Sequence, residues 1–387
     1  MSDLRRSDFS QKRPGRQVRW PGWRKFSRTQ VGWGGRVISR AVLRRSLCAI
    51  AALALTLTAA PARPAAAKAG RHVAGFVVFW DGGSSQRTWR KDYASYGQVY
   101  FDTATLVEPD RVVNRIPAWV VGFVRRHHLT SQICVANDPG SNFDAAMLHT
   151  LLTHPGDQRR VIAQLVHLVA GTPFDGIDMD FENGGPGDAQ SFVAFLGQLH
   201  AALLAAHKTL SVTVPAETYR DAQKPWNRGY DYGPIARNVD AVLVMAYDYS
   251  YQGGPPGPIA PLGWVKHVLQ YATVTIPRAK LQLGLPAYAY DWLTKSPYPS
   301  VSLTLRQVVR WLRRHGAVQP RWDTAASQPY YTYRDNSGRR HYVAFEDAKS
   351  TAAVLRLAKA YRVGTVFTWY VGSETTAVFQ ELRRYGG

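Results

Sequence analysis

Residues 174–182 have the sequence FDGIDMDFE, in which large apolar and acidic side chains alternate from Ile177 to Glu182. In a β-strand, successive side chains point to opposite faces, so three carboxylates would share one face: Asp178, Asp180 and Glu182. Three carboxylates this close cannot all ionise cheaply, so at least one pKa is expected to be raised. Glu182 precedes a glycine-rich segment and so lies at the end of the predicted strand. A carboxyl that keeps its proton near neutral pH is what a general acid requires.

The same stretch carries a longer signature. Asp175, Gly176, Asp178, Asp180 and Glu182 reproduce the pattern DGxDxDxE without gaps, and the pattern resembles glycoside hydrolase family 18, the chitinase-like barrels. A solvated acidic strand edge or an oxygen cluster of the calcium type are the alternatives for an acidic run. The full signature, with a helix before it and apolar residues around it, favours the glycosidase interpretation.

Three further segments resemble the same family in the same chain order; the first, strand one with Phe76 and the following loop at Trp80 and Asp81, fits more loosely. Residues 245–248 (MAYD) resemble the MxYD motif at the end of strand six, and residues 364–370 (GTVFTWY) resemble strand eight. Within the family, the likeness is closest to the spore-germination and cell-wall branch of bacterial members. That likeness is carried by residues 257–264, 284–292 and 344–348.

Hydrophobic patterning from His72 onward predicts alternating strands and helices, as parallel-sheet proteins require. The predicted strands are 72–79, 98–103, 131–137, 174–182, 210–215, 240–245, 280–285 and 364–369. The main predicted helices are 116–128, 159–170, 191–206, 261–273, 346–361 and 375–384. We therefore expect an α/β fold, a (β/α)8 TIM barrel. Residues from about 292 to 345 are too long for one loop and predict a small α+β insertion between strand seven and helix seven.

The resemblance implies a role for each catalytic candidate. Glu182 would protonate the glycosidic oxygen, while the acetamido oxygen of the substrate itself acts as nucleophile. Asp180 would hold the acetamido N–H, Asp178 would share a proton with Asp180, and Tyr247 would donate to the acetamido carbonyl. This substrate-assisted route is an exception to the scheme with two protein carboxylates.

The substrate-binding candidates are Asp248, Trp369, Met245, Asn137 and Trp80. Trp369 would form the floor of the sugar site, and Asp248 would bind a hydroxyl. A turn-capping role is an equal alternative for Asn137, and core packing is the alternative for the tryptophans, including the further groove candidates Trp226, Trp292 and Trp322. Asp175 and Gly176 are expected to be structural, since Asp175 has the opposite strand parity. No metal or cofactor is expected.

Residues 1–69 hold 15 of the 48 Lys and Arg residues and 2 of the 27 Asp and Glu residues, so +13 of the +21 net charge lies there. This segment has the features of an export leader: Arg44 and Arg45, the apolar run 47–60, and an alanine-rich cleavage pattern at 65–69. A membrane anchor or a start codon set too early are the alternatives. After cleavage Cys134 alone remains, so no disulfide is expected.

The sequence therefore predicts a barrel over residues 70–387 and a secreted or cell-wall-associated retaining glycosidase. The expected reaction is hydrolysis of β-1,4 bonds following N-acetylglucosamine in peptidoglycan or chitin-like glycans. The expected partners are an N-acetylglucosamine-containing polysaccharide and the cell-wall surface, which the residual +8 charge would favour. We expect a monomer, with no nucleic-acid partner and no stable membrane insertion after processing. The alternatives are a carbohydrate-binding protein on the same fold that has lost hydrolysis and a structural wall protein.

Overall fold

The computed structural model describes residues 72–140, 142–220 and 229–387. The predicted export leader and Trp226 lie outside these described residues.

Eight described strands run parallel and close into a barrel. They are β1 (His72–Val78), β2 (Gln98–Glu108), β4 (Ser131–Ala136), β5 (Gly176–Asp180), β6 (Thr209–Pro215), β7 (Ala241–Met245), β8 (Leu281–Pro286) and β14 (Thr365–Trp369). Closure follows from β1, which pairs in parallel with both β2 and β14. A short strand, β3 (Arg111–Asn114), extends the sheet by pairing antiparallel with the end of β2. The predicted barrel is confirmed.

Helices alternate with the barrel strands. They are α1 (Ser84–Asp92), α2 (Ala118–His127), α3 (Ala145–Thr153), α4 (Pro155–Val169), α5 (Ala189–Ala205), α6 (Tyr232–Arg237), α7 (Leu262–Thr275), α9 (Ala348–Ala360) and α10 (Thr376–Gly386). Local sequence explains several starts. The Asp144 side chain accepts from the Met147 backbone N–H at the start of α3, and Asp347 forms a capping box with Ser350 at the start of α9.

The predicted insertion between β8 and α9 is a small domain of α+β structure. It consists of β9 (Tyr288–Leu293), β10 (Ser300–Thr304), α8 (Leu305–Arg314), β11 (Arg321–Asp323), β12 (Gln328–Arg334) and β13 (Arg340–Phe345). Its five strands form an antiparallel sheet in the order β10-β9-β13-β12-β11. The sheet begins at Tyr288, directly after β8, because the chain leaves the barrel through Ala287 without a loop.

Apolar side chains pack in two layers. The larger layer lies between the barrel wall and its helices and includes Ile177, Met179 and Phe181, the apolar face of the β5 stretch. The second layer includes Phe76, Tyr247 and Phe367 and extends to the insertion strand β9. The acidic face of β5 therefore points into the barrel, as its alternation predicted. No helix in the described ranges is long and apolar enough to cross a membrane.

Candidate active site

The start of β5 is fixed by close backbone contact with its neighbours. A Cβ on Gly176 would lie 1.9 Å from the carbonyl oxygen of Thr209 on β6, so only glycine permits this approach. The Asp175 carboxylate accepts from the Ser131 backbone N–H at 2.7 Å, which ties the same point to β4. These contacts set the register that turns the following carboxylates inward. We therefore propose a structural role for Asp175 and Gly176.

Asp178 is fully buried beneath the cleft. It accepts from the Ser211 hydroxyl at 2.6 Å and the Thr213 hydroxyl at 2.9 Å, yet burial raises its pKa to about 6. Ser211 Oγ also lies 2.6 Å from Gln132 Oε1, and one hydroxyl proton cannot serve both acceptors. A proton on Asp178 resolves this, because Ser211 then accepts from Asp178 and donates to Gln132. Asp178 is therefore suited to store a proton next to Asp180.

Asp180 lies between Asp178 and the cleft. It is 6% exposed, and its Oδ1 atom has no hydrogen-bond partner among the described residues. Burial raises its pKa well above the ordinary value, and the charges of Glu182 and Asp178 raise it further. A buried carboxylate oxygen without a partner is costly. The site therefore favours either a proton on Asp180 or a ligand that donates to it.

Glu182 lies two positions beyond the end of β5 and is partly buried. Burial raises its pKa to about 8, with smaller contributions from the charges of Asp248 and Asp138. Its backbone is held by Asn137, whose Oδ1 accepts from the Glu182 N–H at 2.8 Å and whose Nδ2 donates to the Glu182 carbonyl at 3.1 Å. Glu182 thus keeps a proton near neutral pH on a fixed backbone.

The sequence placed Asn137 among the sugar-contacting residues, with turn capping as the alternative. In the structure Asn137 is fully buried, and Nδ2 also donates to the Asp144 carbonyl. Its amide is occupied by backbone groups, so it positions Glu182 and does not reach the cleft. Direct contact with a sugar is therefore contradicted.

Tyr247 and Asp248 follow β7 and face the same site. The pKa of Tyr247 is raised by burial and by the charges of Asp180 and Asp248, which places its hydroxyl near those carboxylates. Asp248 has a φ of 58°, a left-handed conformation that aspartate tolerates. Its carboxylate accepts from the hydroxyls of Tyr288 and Tyr290, the latter at 3.1 Å. The residue as a whole is exposed, but the protein around its carboxyl reduces solvation and raises the pKa to about 6.

Trp369 and Met245 lie at strand ends around the second apolar layer. The Trp369 ring is half-buried and lies 5.4 Å from the Phe76 ring at 63°. Met245 is half-buried at the end of β7 and packs against the same layer. An indole fixed in this way and still partly open can stack on the apolar face of a sugar.

Trp80, in the loop after β1, is 62% exposed but held in place. Its Nε1 donates to Asp102 Oδ2 at 3.2 Å, and its ring lies 5.0 Å from Tyr370 in an edge-to-face arrangement. An exposed indole with a fixed orientation loses little entropy when a ligand stacks on it. Trp80 therefore remains a candidate platform beside the cleft.

Two other groove candidates have different surroundings. Trp292 is fully buried, and its Nε1 donates to the Tyr251 carbonyl at 3.2 Å, so it is a core residue of the insertion. Trp322 is covered by Lys349, whose Nζ lies 3.7 Å from the ring centre. The proposed groove role is wrong for Trp292.

Sequence reasoning missed two acidic residues near the site. Asp102 lies on β2, and burial raises its pKa to about 6; Asp138 follows β4, and burial raises its pKa as well. Both carboxylates raise the pKa of Asp180. Their position at or near the carboxyl ends of barrel strands was the available signal, because barrel active sites form there.

A closed parallel barrel that gathers acidic side chains at the carboxyl ends of its strands, one of them protonated near neutral pH, has the features of a glycoside hydrolase. The chain belongs to glycosyl hydrolases family 18, whose profile matches residues 137–374. Among its relatives, a cortical fragment-lytic enzyme of Bacillus anthracis is 29% identical over 273 residues, which cover 69% of this chain and 61% of that enzyme. The chain thus spans about three fifths of that relative.

Solved structures agree with the fold. A chitinase from Chromobacterium violaceum has a TM-score of 0.75 at 29% identity, covering 81% of this chain and 98% of that one. The spore cortex-lytic enzyme SleL of Bacillus cereus has a TM-score of 0.74 at 23% identity, covering 82% of this chain and 74% of that one. At that lower identity the second likeness concerns the fold alone.

Proposed function

We propose that the chain is a retaining glycosidase that hydrolyses β-1,4 bonds following N-acetylglucosamine, using the acetamido group of its substrate as nucleophile. The observation that carries this proposal is the pairing of two carboxyls. Glu182 holds a proton up to a pH of about 8, and Asp180, two residues earlier on the same face, has a bare buried oxygen. One group can donate a proton and the other can accept from a ligand N–H.

The first half of the reaction cleaves the glycosidic bond. Glu182 donates its proton to the glycosidic oxygen as the bond from that oxygen to the anomeric carbon breaks. The acetamido carbonyl oxygen attacks the anomeric carbon and closes an oxazolinium ring. Asp180 accepts from the acetamido N–H and offsets the positive charge that develops on the ring, while Tyr247 donates to the acetamido oxygen.

The second half restores the enzyme. Water attacks the anomeric carbon, Glu182 takes the water proton, and the ring opens with net retention. During both halves Asp178 sets the protonation of Asp180, since the two carboxyls lie one strand repeat apart and each raises the cost of ionising the other. No protein nucleophile is required.

Peptidoglycan and chitin-like glycans are the substrate classes that the relatives support. One relative is named a cortical fragment-lytic enzyme and one structural neighbour is named a chitinase. We assign this chain to N-acetylglucosamine-containing glycans of the cell wall, with export directed by residues 1–69. Asp248, Trp369, Met245 and Trp80 would contact the glycan.

The test compares N-acetylated and deacetylated forms of one glycan. Purified peptidoglycan and chitin oligomers are digested, and the products are identified by mass spectrometry. We expect N-acetylated substrate to be cut and substrate deacetylated at the cleaved sugar to be bound but hardly cut. A thiazoline analogue of the oxazolinium should inhibit strongly, because it resembles a species that the site stabilises better than substrate.

Three results would count against the proposal. Equal cleavage of deacetylated substrate would show that the acetamido group is not the nucleophile. A glycosyl ester trapped on a strand carboxylate would show that a protein carboxylate is the nucleophile. Binding of glycans without any hydrolysis would favour the carbohydrate-binding alternative. Asp180→Asn distinguishes these cases further, since it should slow hydrolysis even though Glu182 is intact.

A further inference from the structure

Positive charge is concentrated in the insertion. Residues 288–345 hold nine Lys and Arg residues against three Asp and Glu residues, a net +6. Residues 70–387 carry +8 in all, so most of the excess lies outside the barrel proper. The cleft itself is lined by carboxylates. The insertion therefore attracts anions at a place distinct from the catalytic site.

Much of this charge lies on one side of α8. Four exposed arginines within just over two turns define the α8 arginine face: Arg306, Arg310, Arg313 and Arg314. At 100° per residue they fall on about a third of the helix circumference, over roughly 12 Å of its length. Leu305 and Val308 are buried on the opposite side. The face therefore presents a row of guanidinium groups to solvent.

Most of the row is not neutralised within the described part of the protein, although the charge of Arg306 lowers the pKa of the buried Glu374 carboxyl. Several exposed arginines elsewhere pair with carboxylates, as Arg111 does with Glu108 at 2.6 Å. By contrast, the α8 arginine face makes no ion pair to a described residue, and α8 contains no acidic residue. Arg306 Nε donates to the Glu374 carbonyl at 2.9 Å, which fixes one end of the row. Like charges held this close repel one another, so a bound polyanion would lower the electrostatic repulsion among the arginines.

The insertion sheet separates this face from the cleft. Trp311 of α8 packs against Tyr331 at 5.0 Å, on one side of the sheet. Tyr331 is opposite Val343, and Val343 is opposite Asp291, so these three side chains point to the same side of the sheet. Tyr290 precedes Asp291 in β9 and therefore points to the other side. Tyr290 bonds Asp248 in the active site. A polymer on α8 would therefore leave the cleft open.

We propose that the α8 arginine face binds a linear cell-wall polymer that carries phosphodiester groups, and so holds the enzyme on its substrate. Guanidinium groups recognise phosphate by paired hydrogen bonds, and a row of them fits repeated anions along a chain better than a single ion. The proposal rests on the proposed function in one respect, since the cell wall is taken as the place of action.

The test variant is Arg310→Gln/Arg313→Gln/Arg314→Gln, which keeps Arg306 and its bond to the Glu374 carbonyl. Cosedimentation with purified cell walls is measured at 50 and 200 mM salt, with walls that retain their phosphodiester polymers and walls stripped of them by hydrofluoric acid. We expect wild-type binding to intact walls to weaken by about 20- to 40-fold across that salt range, as about three phosphate contacts imply. The variant should bind weakly at both salts.

The matched control is Arg125→Gln/Arg126→Gln/Arg159→Gln, which removes the same charge from exposed positions on α2 and α4. It should bind intact walls like the wild type, and both variants should hydrolyse a soluble chitin oligomer at the wild-type rate. Equal loss of binding by the control would overturn the proposal, because binding would then depend on the total positive charge and not on the α8 arginine face. Equal wild-type binding to stripped walls would overturn it by excluding the phosphodiester polymer. Failure of the proposed function is separate, since it would appear as wild-type protein that cuts no glycan.

Discussion

Replacing Glu182 with Gln should abolish turnover and stabilise the fold at the same time. The variant keeps the shape of the side chain and removes the transferable proton, so the rate should fall by about 10²–10⁴-fold. This is roughly 3–5 kcal/mol of transition-state stabilisation. Glycan binding should survive, because the amide can still donate and accept hydrogen bonds in the cleft.

The stability change follows from the raised pKa of Glu182, about 8 against an ordinary 4.5. Below pH 4.5 both the folded and unfolded states hold the proton, and Glu182 contributes nothing to the pH dependence. Between pH 4.5 and 8 only the folded state holds it, so raising the pH favours unfolding. At about 1.4 kcal/mol per pH unit the full cost approaches ~5 kcal/mol. Since Glu182 is partly open to solvent, screening reduces this to about 1–3 kcal/mol.

Urea unfolding at pH 4 and pH 8 measures this difference. Glu182→Gln should match the wild type at pH 4 and exceed its free energy of unfolding at pH 8. Glu108→Gln is the control, since Glu108 is an exposed residue paired with Arg111 and should change neither turnover nor the pH dependence noticeably. A variant that keeps most of its activity would show that Glu182 is not the acid. A variant less stable than wild type at pH 8 would refute the account of its pKa.

Two further predictions test the surroundings of the site. Gly176→Ala should destabilise the fold by several kcal/mol or prevent folding, because its Cβ would overlap the Thr209 carbonyl; a normal urea midpoint would contradict the close approach of β5 and β6. Trp80→Ala should raise KM on long oligomers with little effect on kcat, and Asp102→Asn should do so more mildly because the indole loses a charge-assisted bond. An unchanged KM in both variants would mean that Trp80 contacts no sugar.

Individual predicted strands agree closely with the structure, and the reason is local. Residues 210–215 were predicted as a strand and β6 is Thr209–Pro215; residues 281–286 form β8 against a prediction of 280–285. Buried parallel strands are continuous apolar runs, which the sequence displays directly. Helix α1, Ser84–Asp92, was missed because it is largely polar and buries little besides Trp89. Its position follows from packing on β1, which no local pattern predicts.

The candidate site residues also divide into features that local sequence predicts and features that depend on the fold. The inward direction of Asp178 and Asp180 is a property of strand parity, and the resemblance to the family was carried by residues close together in the chain. The raised pKa values required the fold, since burial is their first cause. Asn137 shows the limit most clearly. The sequence predicted its position at the end of a strand, but its hydrogen bonds to the Glu182 backbone depend on the register between β4 and β5.

The sequence by itself determined the order of strands and helices, the face on which the β5 carboxylates lie, and the family. These are short-range properties, because side-chain alternation and motif spacing are set within a few residues. Only the tertiary structure decided which groups meet. Tyr290 of the insertion bonds Asp248, which lies 42 residues earlier in the chain. Asp102 on β2 accepts from Trp80 in the loop after the neighbouring strand β1. Such contacts depend on barrel closure and strand register, which are set by the packing of the whole chain.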